Sequence, residues 1–238
     1  MRIPYGYQVE NNEFIIENYD SKAPFTSFLP GLTGEDGIPL WSFYVNRGQC
    51  LTSFGIEKKE NPIMEFQPAV IAYENTSLKG FRTFIRKNDE YFEPFSVNYD
   101  AKVKRTMRIK ANSFRIIETD YTHNFKTEIT YFILPHEPFG ALVRNVTFTN
   151  LGEEADFEIL DGMSRIIPYG IPGTKFTTMA NLMRSYNTVS NLKNDVPLFF
   201  SRIESDDAAE MKENVGGYYY MCFDNVPYSK MKHLFNFQ

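Results

Sequence analysis

The side chains best suited to hold a ligand are two aromatic and two polar groups within one short stretch: Trp41, Tyr44, Asn46 and Arg47. Aromatic ring faces together with planar polar groups suit a sugar ring, which presents both C–H and hydroxyl groups. A polar turn at residues 46–49 separates two aromatic-rich runs, which predicts a β-hairpin over residues 40–57. We assign these four residues to substrate binding, and favour Asn46 and Arg47 because loop residues often carry function.

The alternative for the same stretch is core packing, since Trp41 and Phe43 occupy alternate positions of a predicted strand and would point to the same side. Cys50 has two interpretations as well. Arg47 could lower the pKa of its thiol if the two side chains were close, but a cysteine packed in the core is favoured.

Other catalytic chemistry finds little support in the residue types and their spacing. The three histidines, His123, His136 and His233, are far apart, and no H-x-x-x-H or C-x-x-C spacing occurs. No G-x-S-x-G is present, and neither Cys50 nor Cys222 is near a histidine in sequence. The 30 acidic residues cannot be paired into a general acid and its partner from sequence alone. We therefore predict no metal site, no cofactor and no catalytic residue.

One region is rich in positive charge within a predicted hairpin: Lys102, Lys104, Arg105, Arg108, Lys110 and Arg115. A solvated sheet face is the favoured interpretation. The alternative is a docking surface for an acidic partner or a neighbouring domain.

Composition narrows the class of protein further. Among 238 residues, 42% are hydrophobic and 16% aromatic, which is typical of a folded protein with a sizeable core. The net charge of −5 argues against nucleic-acid binding. No signal peptide and no run of 18 apolar residues is recognisable, so neither secretion nor a membrane span is expected. With only two cysteines, the sequence favours a cytoplasmic location.

Alternation of apolar and polar residues predicts an all-β fold. Val103, Met107 and Ile109 fall on one face of a strand, with Arg105 the polar exception. An antiparallel meander is predicted from strands over residues 102–110, 114–121, 125–134 and 141–150. A further hairpin is predicted between residues 141–150 and 155–160. Residues 24–39 are rich in Gly and Pro and are predicted to be a connection, with turns at Pro30-Gly31 and Asp36-Gly37.

One helix is predicted after Gly173 and Thr174, where apolar residues recur at helical spacing: Phe176, Met179, Ala180 and Met183. The predicted architecture is two large antiparallel sheets packed face to face. Residues 4–226 are expected to form one domain, followed by a tail over residues 227–238 that could be truncated.

Three segments resemble the N-terminal part of the family 94 glycoside phosphorylases, which include cellobiose phosphorylase and β-1,2-oligoglucan phosphorylase. They are GIPLWSFYVNRGQCLTSFGIEKKENPIMEFQPA, GFRTFIR and TEITYFILPHEPFGALVRNVTFTNLGEEADFEILDG. Two long blocks agree in the same order, and the resemblance covers roughly residues 5 to 225. It implies an antiparallel β-supersandwich similar to galactose mutarotase, with one or two short helices.

The resemblance also implies an activity: reversible, inverting phosphorolysis of a β-glucosidic bond, with inorganic phosphate as the co-substrate. In that family the general acid and the phosphate-binding residues lie in an (α/α)6 barrel after the sandwich, and no residue here matches them. This chain is therefore expected to be a carbohydrate-associated module that is catalytically incomplete alone. Its expected partners are a β-glucan oligosaccharide, a catalytic helical-barrel domain or chain, and a second copy in a homodimer.

Two alternatives remain open at this point. The first is a free-standing, non-catalytic carbohydrate-binding or scaffold protein with the same fold. The second is mutarotase-like catalysis, which would require histidines paired with an acid in a cleft, and only three histidines are present.

Overall fold

The computed structural model describes residues 6–97, 102–171, 175, 178–194, 196–202, 210, 214 and 216–225. It is mainly β and antiparallel, with two short α-helices, as the alternation of residues predicts. The chain divides into two compact units, Met1–Arg165 and Ile166–Gln238, which are described separately below. Among the described helices, none has the length and apolar character needed to cross a membrane.

The regular elements follow one another along the chain with short connections. The strands are β1 (Tyr7–Glu10), β2 (Glu13–Glu17), β3 (Thr26–Thr33), β4 (Ile38–Val45), β5 (Leu51–Ile56), β6 (Pro62–Met64), β7 (Phe81–Lys87), β8 (Glu90–Phe92), β9 (Val103–Ile109), β10 (Ser113–Asp120), β11 (Phe125–Ile133), β12 (Leu142–Asn150), β13 (Phe157–Met163), β14 (Asn187–Ser190), β15 (Leu198–Ser201) and β16 (Tyr218–Tyr219). The helices are α1 (Ala69–Lys79) and α2 (Ala180–Tyr186).

The largest sheet of the first unit has six strands in the order β1-β2-β9-β10-β11-β12. The predicted meander is confirmed, because β9 to β12 pair successively and antiparallel. Strand β10 shows the cause most clearly: every second residue is buried, including Phe114 and Ile116, and the intervening residues are only partly buried.

A four-stranded sheet, β3-β4-β5-β6, contains the predicted hairpin, which β4 and β5 form. Strand β3 was not predicted, because Gly and Pro residues are typical of a connection. It pairs with β4 over its whole length as an edge strand. Helix α1 was not predicted either. Its buried residues are only Ala72 and Thr76, one helical turn apart, so the apolar stripe is too narrow to give a periodic signal.

The third sheet of this unit has the order β13-β7-β8. The predicted hairpin between residues 141–150 and 155–160 is therefore wrong: β13 leaves β12 and pairs with β7, placing Ile159 opposite Ile85 and Asp161 opposite Thr83. A polar turn-like sequence indicates where a strand ends, but the choice of partner depends on long-range pairing that local residues do not specify.

The main hydrophobic core lies between the six-stranded and four-stranded sheets. Tyr44 of β4 stacks on Phe114 of β10 with ring centroids 4.4 Å apart, and Phe114 stacks in turn on Tyr131 of β11 at 4.7 Å. Met107 and Ile129 are fully buried in the same cluster. One face of each sheet is thus buried in a shared apolar interior. This burial is the main source of stability in such folds.

The second unit contains the sheet β14-β15-β16 and helix α2, with a small core of Ile167, Ile171 and Met183. The predicted helix is confirmed from Ala180 onward, and Met183 is buried as expected. Met179 lies before the helix and is exposed, so it does not extend the apolar stripe. The predicted positions Gly173, Thr174 and Phe176 fall outside the described residues.

Candidate functional site

Asn46 lies at the tip of the β4–β5 hairpin but is completely buried. Its amide nitrogen donates to the carbonyl oxygens of Tyr19 (2.9 Å), Lys22 (3.3 Å) and Ala23 (3.1 Å), and its amide oxygen accepts from the backbone N–H of Phe25 (2.9 Å). Every polar atom of the side chain is therefore used to hold the segment before β3. The observed burial gives Asn46 a structural role and leaves it no surface for a sugar.

Replacing Asn46 with alanine is expected to lower the free energy of unfolding by about 2–3 kcal/mol, because buried backbone groups lose their partners. Urea unfolding followed by circular dichroism measures the change. Asn145→Ala on β12 is the matched control: Asn145 is an exposed asparagine, and its truncation is expected to change stability by less than about 0.5 kcal/mol. A cost at Asn46 as small as at Asn145 would contradict this structural role.

The other three predicted binding residues lie around the same hairpin but do not converge on one surface. Tyr44 is buried in the main core. Trp41 packs edge-on against Phe66 at 5.8 Å, in a separate cluster below α1 that also contains Phe43. The core interpretation of Trp41 and Phe43 is thus the one that the packing supports.

Arg47 is half-buried, and its guanidinium lies over the ring of Tyr73 in α1, 4.8 Å from the centroid. The tip packs closely on this helix. Gly48 has a positive φ of 52°, and a Cβ at this position would lie 3.2 Å from the Cα of Ser77. Of the four predicted residues, Arg47 and Trp41 alone keep some exposure, so contact of Arg47 with a sugar stays a prediction.

The thiol of Cys50 is buried beside Tyr19, which confirms the core interpretation. Burial raises its pKa far above the range in which a thiolate forms at neutral pH. Cys50 is therefore no nucleophile in this fold. Cys222 of the second unit is exposed.

A polar cluster that the sequence did not predict joins three sheets below the hairpin tip. Its members are Gln49, Thr83, Arg144 and Asp161, here called the Arg144 cluster. Arg144 of β12 forms a bidentate ion pair with Asp161 of β13 and donates to Oε1 of Gln49 at 2.7 Å. Gln49 donates to the Thr83 hydroxyl at 2.8 Å, and that hydroxyl donates to Asp161.

The electrostatics of the Arg144 cluster favour a fixed arrangement. Desolvation opposes the charge on Arg144, but the Tyr131 hydroxyl and the Asp161 carboxylate outweigh it, so the pKa of Arg144 is raised. The guanidinium also lies 4.8 Å from the ring centroid of Phe81. Both oxygens of Asp161 are engaged by Arg144, so the ion pair fixes the position of the carboxylate. What the cluster can do is hold β12, β13, β7 and the hairpin tip in register.

A second buried group of charges, here called the Arg105 triad, consists of Asp20, Arg105 and Glu118. Arg105 donates from Nη1 to Asp20 and from Nε to Glu118, each at 2.7 Å, and all three side chains are less than a tenth exposed. Glu118 also accepts from the backbone N–H of Phe95 at 2.6 Å. The polar exception on the apolar face of β9 is thus explained by two carboxylates that reach it from other segments.

This placement removes Arg105 from the predicted basic patch, since it faces the core. The remaining patch is partly neutralised by acids on neighbouring strands. Glu13 of β2 lies 2.9 Å from Arg108 and 3.2 Å from Lys110, and Glu128 lies 4.0 Å from Arg115. The pairing supports a solvated sheet face rather than a surface for an acidic partner.

Among the described residues, one acid–histidine pair forms, at the end of β10 and in the turn that follows it. Nδ1 of His123 lies 2.5 Å from Asp120, whose carboxylate also accepts from the backbone N–H groups of Thr122 and His123. The imidazole stacks on Phe92 at 4.2 Å. These contacts are those of a stabilised turn. Within the described part of the chain, no group of three or more His, Cys, Asp or Glu side chains is placed to hold a metal.

The Arg144 cluster escaped prediction because its members are far apart in sequence and each alone is an ordinary strand or turn residue. All four lie between residues 37 and 162, but no local pattern marks them as one group. Comparison with protein-family models and with curated proteins finds no match to this chain.

Proposed function

We propose that this chain is the N-terminal β-sandwich module of an inverting glycoside phosphorylase that acts on β-glucans. In this proposal the six-stranded and four-stranded sheets correspond to the β-supersandwich of that family. The module associates with a β-glucan oligosaccharide and is catalytically incomplete alone. The general acid and the phosphate site are supplied by an (α/α)6 barrel, carried by another domain or chain.

The observation that carries this proposal is where the resembling segments meet. Gln49 comes from the first segment, Thr83 from the second, and Arg144 and Asp161 from the third, and the four side chains form one hydrogen-bonded cluster. These contacts join the three segments into one structural unit, as a fold shared with that family requires. The mainly antiparallel β architecture is compatible with it.

The pure chain is expected to release no glucose 1-phosphate when incubated with β-linked gluco-oligosaccharides and inorganic phosphate. In this proposal the proton donor and the phosphate site belong to the barrel, so the chain alone is expected to lack both. An enzyme-coupled assay for glucose 1-phosphate measures the product, with an intact family 94 phosphorylase as the positive control. Turnover by the pure chain would contradict the proposal.

The alternative, a free-standing carbohydrate-binding or scaffold protein, predicts the same inactivity and needs a second measurement. The chain is mixed with a separately produced (α/α)6 barrel of a family 94 phosphorylase from which the sandwich has been removed. The proposal predicts that phosphorolysis rises above that of the barrel alone. Oligosaccharide binding without any such gain favours the free-standing protein.

A further inference from the structure

The sheet formed by β13, β7 and β8 has an outer face that carries both apolar and charged side chains. They are Arg82, Phe84 and Arg86 of β7, Tyr91 of β8, and Glu158 and Leu160 of β13, here called the outer face. The other side of β7 is buried through Phe81, Thr83 and Ile85. The alternation of a strand therefore places the outer face on the side away from the core.

The apolar side chains of the outer face are exposed to solvent. Tyr91 is 75% exposed, Leu160 54% and Phe84 38%. The register places Leu160 directly opposite Phe84, and Tyr91 opposite Arg86 in the next outward row. The guanidinium of Arg82 lies 4.6 Å from the centroid of the Phe84 ring, which restrains that ring without covering it fully.

The charged members of the outer face are paired. Arg82 makes a bidentate ion pair with Glu93, just after β8, at 2.7 and 2.8 Å, and Arg86 pairs with Glu158. Two arginines are thus balanced by two glutamates. The face offers fixed planar donors and acceptors beside exposed rings while carrying no net charge of its own.

We propose that the outer face binds a neutral, β-linked gluco-oligosaccharide. The rings of Tyr91 and Phe84 stack on sugar C–H faces, and the Arg86–Glu158 and Arg82–Glu93 pairs exchange hydrogen bonds with hydroxyl groups. Charge balance favours a neutral ligand over a phosphorylated or acidic one. The row from Arg82 to Arg86 extends about 13 Å, at roughly 3.3 Å per residue, which suits a chain of sugars more than a single hexose. The β-glucan class rests on the proposed function.

A protein partner fits this face less well. Protein interfaces concentrate apolar residues in a centre from which charges are depleted. Here the charged pairs lie in the rows on both sides of Phe84 and Leu160, so the apolar side chains form no continuous patch.

Isothermal titration calorimetry of the full chain with β-1,2-, β-1,3- and β-1,4-linked glucotetraoses tests this inference. At least one of them is expected to bind saturably, and Tyr91→Ala is expected to weaken that binding by about tenfold or more, as for an aromatic anchor. Tyr121→Ala is the matched control, because Tyr121 is a comparably open tyrosine, 59% exposed, at the turn between β10 and β11. Its replacement should leave the affinity unchanged.

Three results would overturn the inference: no saturable binding to any of the sugars, equal affinity for wild type and Tyr91→Ala, or an equal loss with Tyr121→Ala. A dimer in light scattering that Leu160→Lys dissociates would assign the face to a second copy instead. The result of this binding test can be distinguished from a failure of the proposed function. Tyr91-dependent binding without any gain of phosphorolysis on mixing with the barrel would contradict the phosphorylase assignment alone.

Discussion

Replacing Arg105 with methionine is expected to lower the free energy of unfolding by about 3–5 kcal/mol near neutral pH, the cost of breaking a buried ion pair from one side. Asp20 and Glu118 would remain buried with their counter-ion removed, and little solvent reaches them to compensate. Methionine keeps much of the volume of the arginine side chain, so the loss of stability measures the missing charge rather than a new cavity. Urea unfolding measures it.

The pH dependence provides a sharper test of the same variant. Burial raises the pKa of Glu118 above its ordinary value, while Arg105 and the backbone N–H of Phe95 oppose that rise. A carboxyl with a raised pKa in the folded state contributes stability below its unfolded pKa, and this is lost as the pH rises through the folded pKa. Without Arg105 the pKa of Glu118 rises further. The deficit of Arg105→Met should therefore be smaller at about pH 5 than at about pH 7.

Lys104→Met is the matched control for Arg105, since Lys104 is the neighbouring residue on β9 and contacts Glu17 at 3.8 Å on the solvent side. An exposed pair of this kind is worth at most about 1 kcal/mol. A deficit for Arg105→Met that is equally small, or that grows as the pH falls, would show that the triad is not the buried charge network described above.

Arg144→Met is expected to cost about 2–4 kcal/mol, somewhat less than Arg105→Met, because the Asp161 left behind is partly exposed and can be rehydrated. The variant loses the bidentate ion pair, the hydrogen bond to Gln49 and the contact with the Phe81 ring. Urea unfolding again measures the cost.

A double-mutant cycle with Asp161→Asn isolates the ion pair within that cost. We expect a coupling energy of about 1 kcal/mol or more, since residues of one hydrogen-bonded network are not additive. Arg115→Met, which removes an arginine 4.0 Å from its nearest carboxylates on the solvent face, should change stability by less than about 1 kcal/mol. Additive effects of Arg144 and Asp161 would mean that the cluster does not hold the three sheets together.

Prediction from sequence succeeded where the physical cause is local. The meander from β9 to β12 follows from two-residue alternation and short turns, and both act over a few positions. It failed for α1, whose two buried residues leave almost no periodic pattern, and for β3, whose Gly and Pro residues are tolerated because the strand lies at a sheet edge. In both cases the neighbouring sheet outweighs local propensity.

The candidate site shows the same division. Residue types marked Asn46 as polar and functional, but its role depends on the carbonyl groups of residues 19–23, which only the folded chain brings to it. Nothing in the local sequence distinguishes Tyr91, an exposed strand tyrosine, from a buried one. Its exposure follows from the pairing of β8 with β7 alone, at the edge of a sheet.

The sequence by itself determined that this protein is built from antiparallel strands with one solvent-exposed face, since apolar and polar side chains alternate between adjacent residues. Only the tertiary structure decided that β13 pairs with β7, that Arg105 and Arg144 are held by distant carboxylates, and that one sheet presents open rings between paired charges. Those features depend on contacts between residues 11 to 85 positions apart. Chain entropy and packing select such contacts among many alternatives that local sequence does not distinguish.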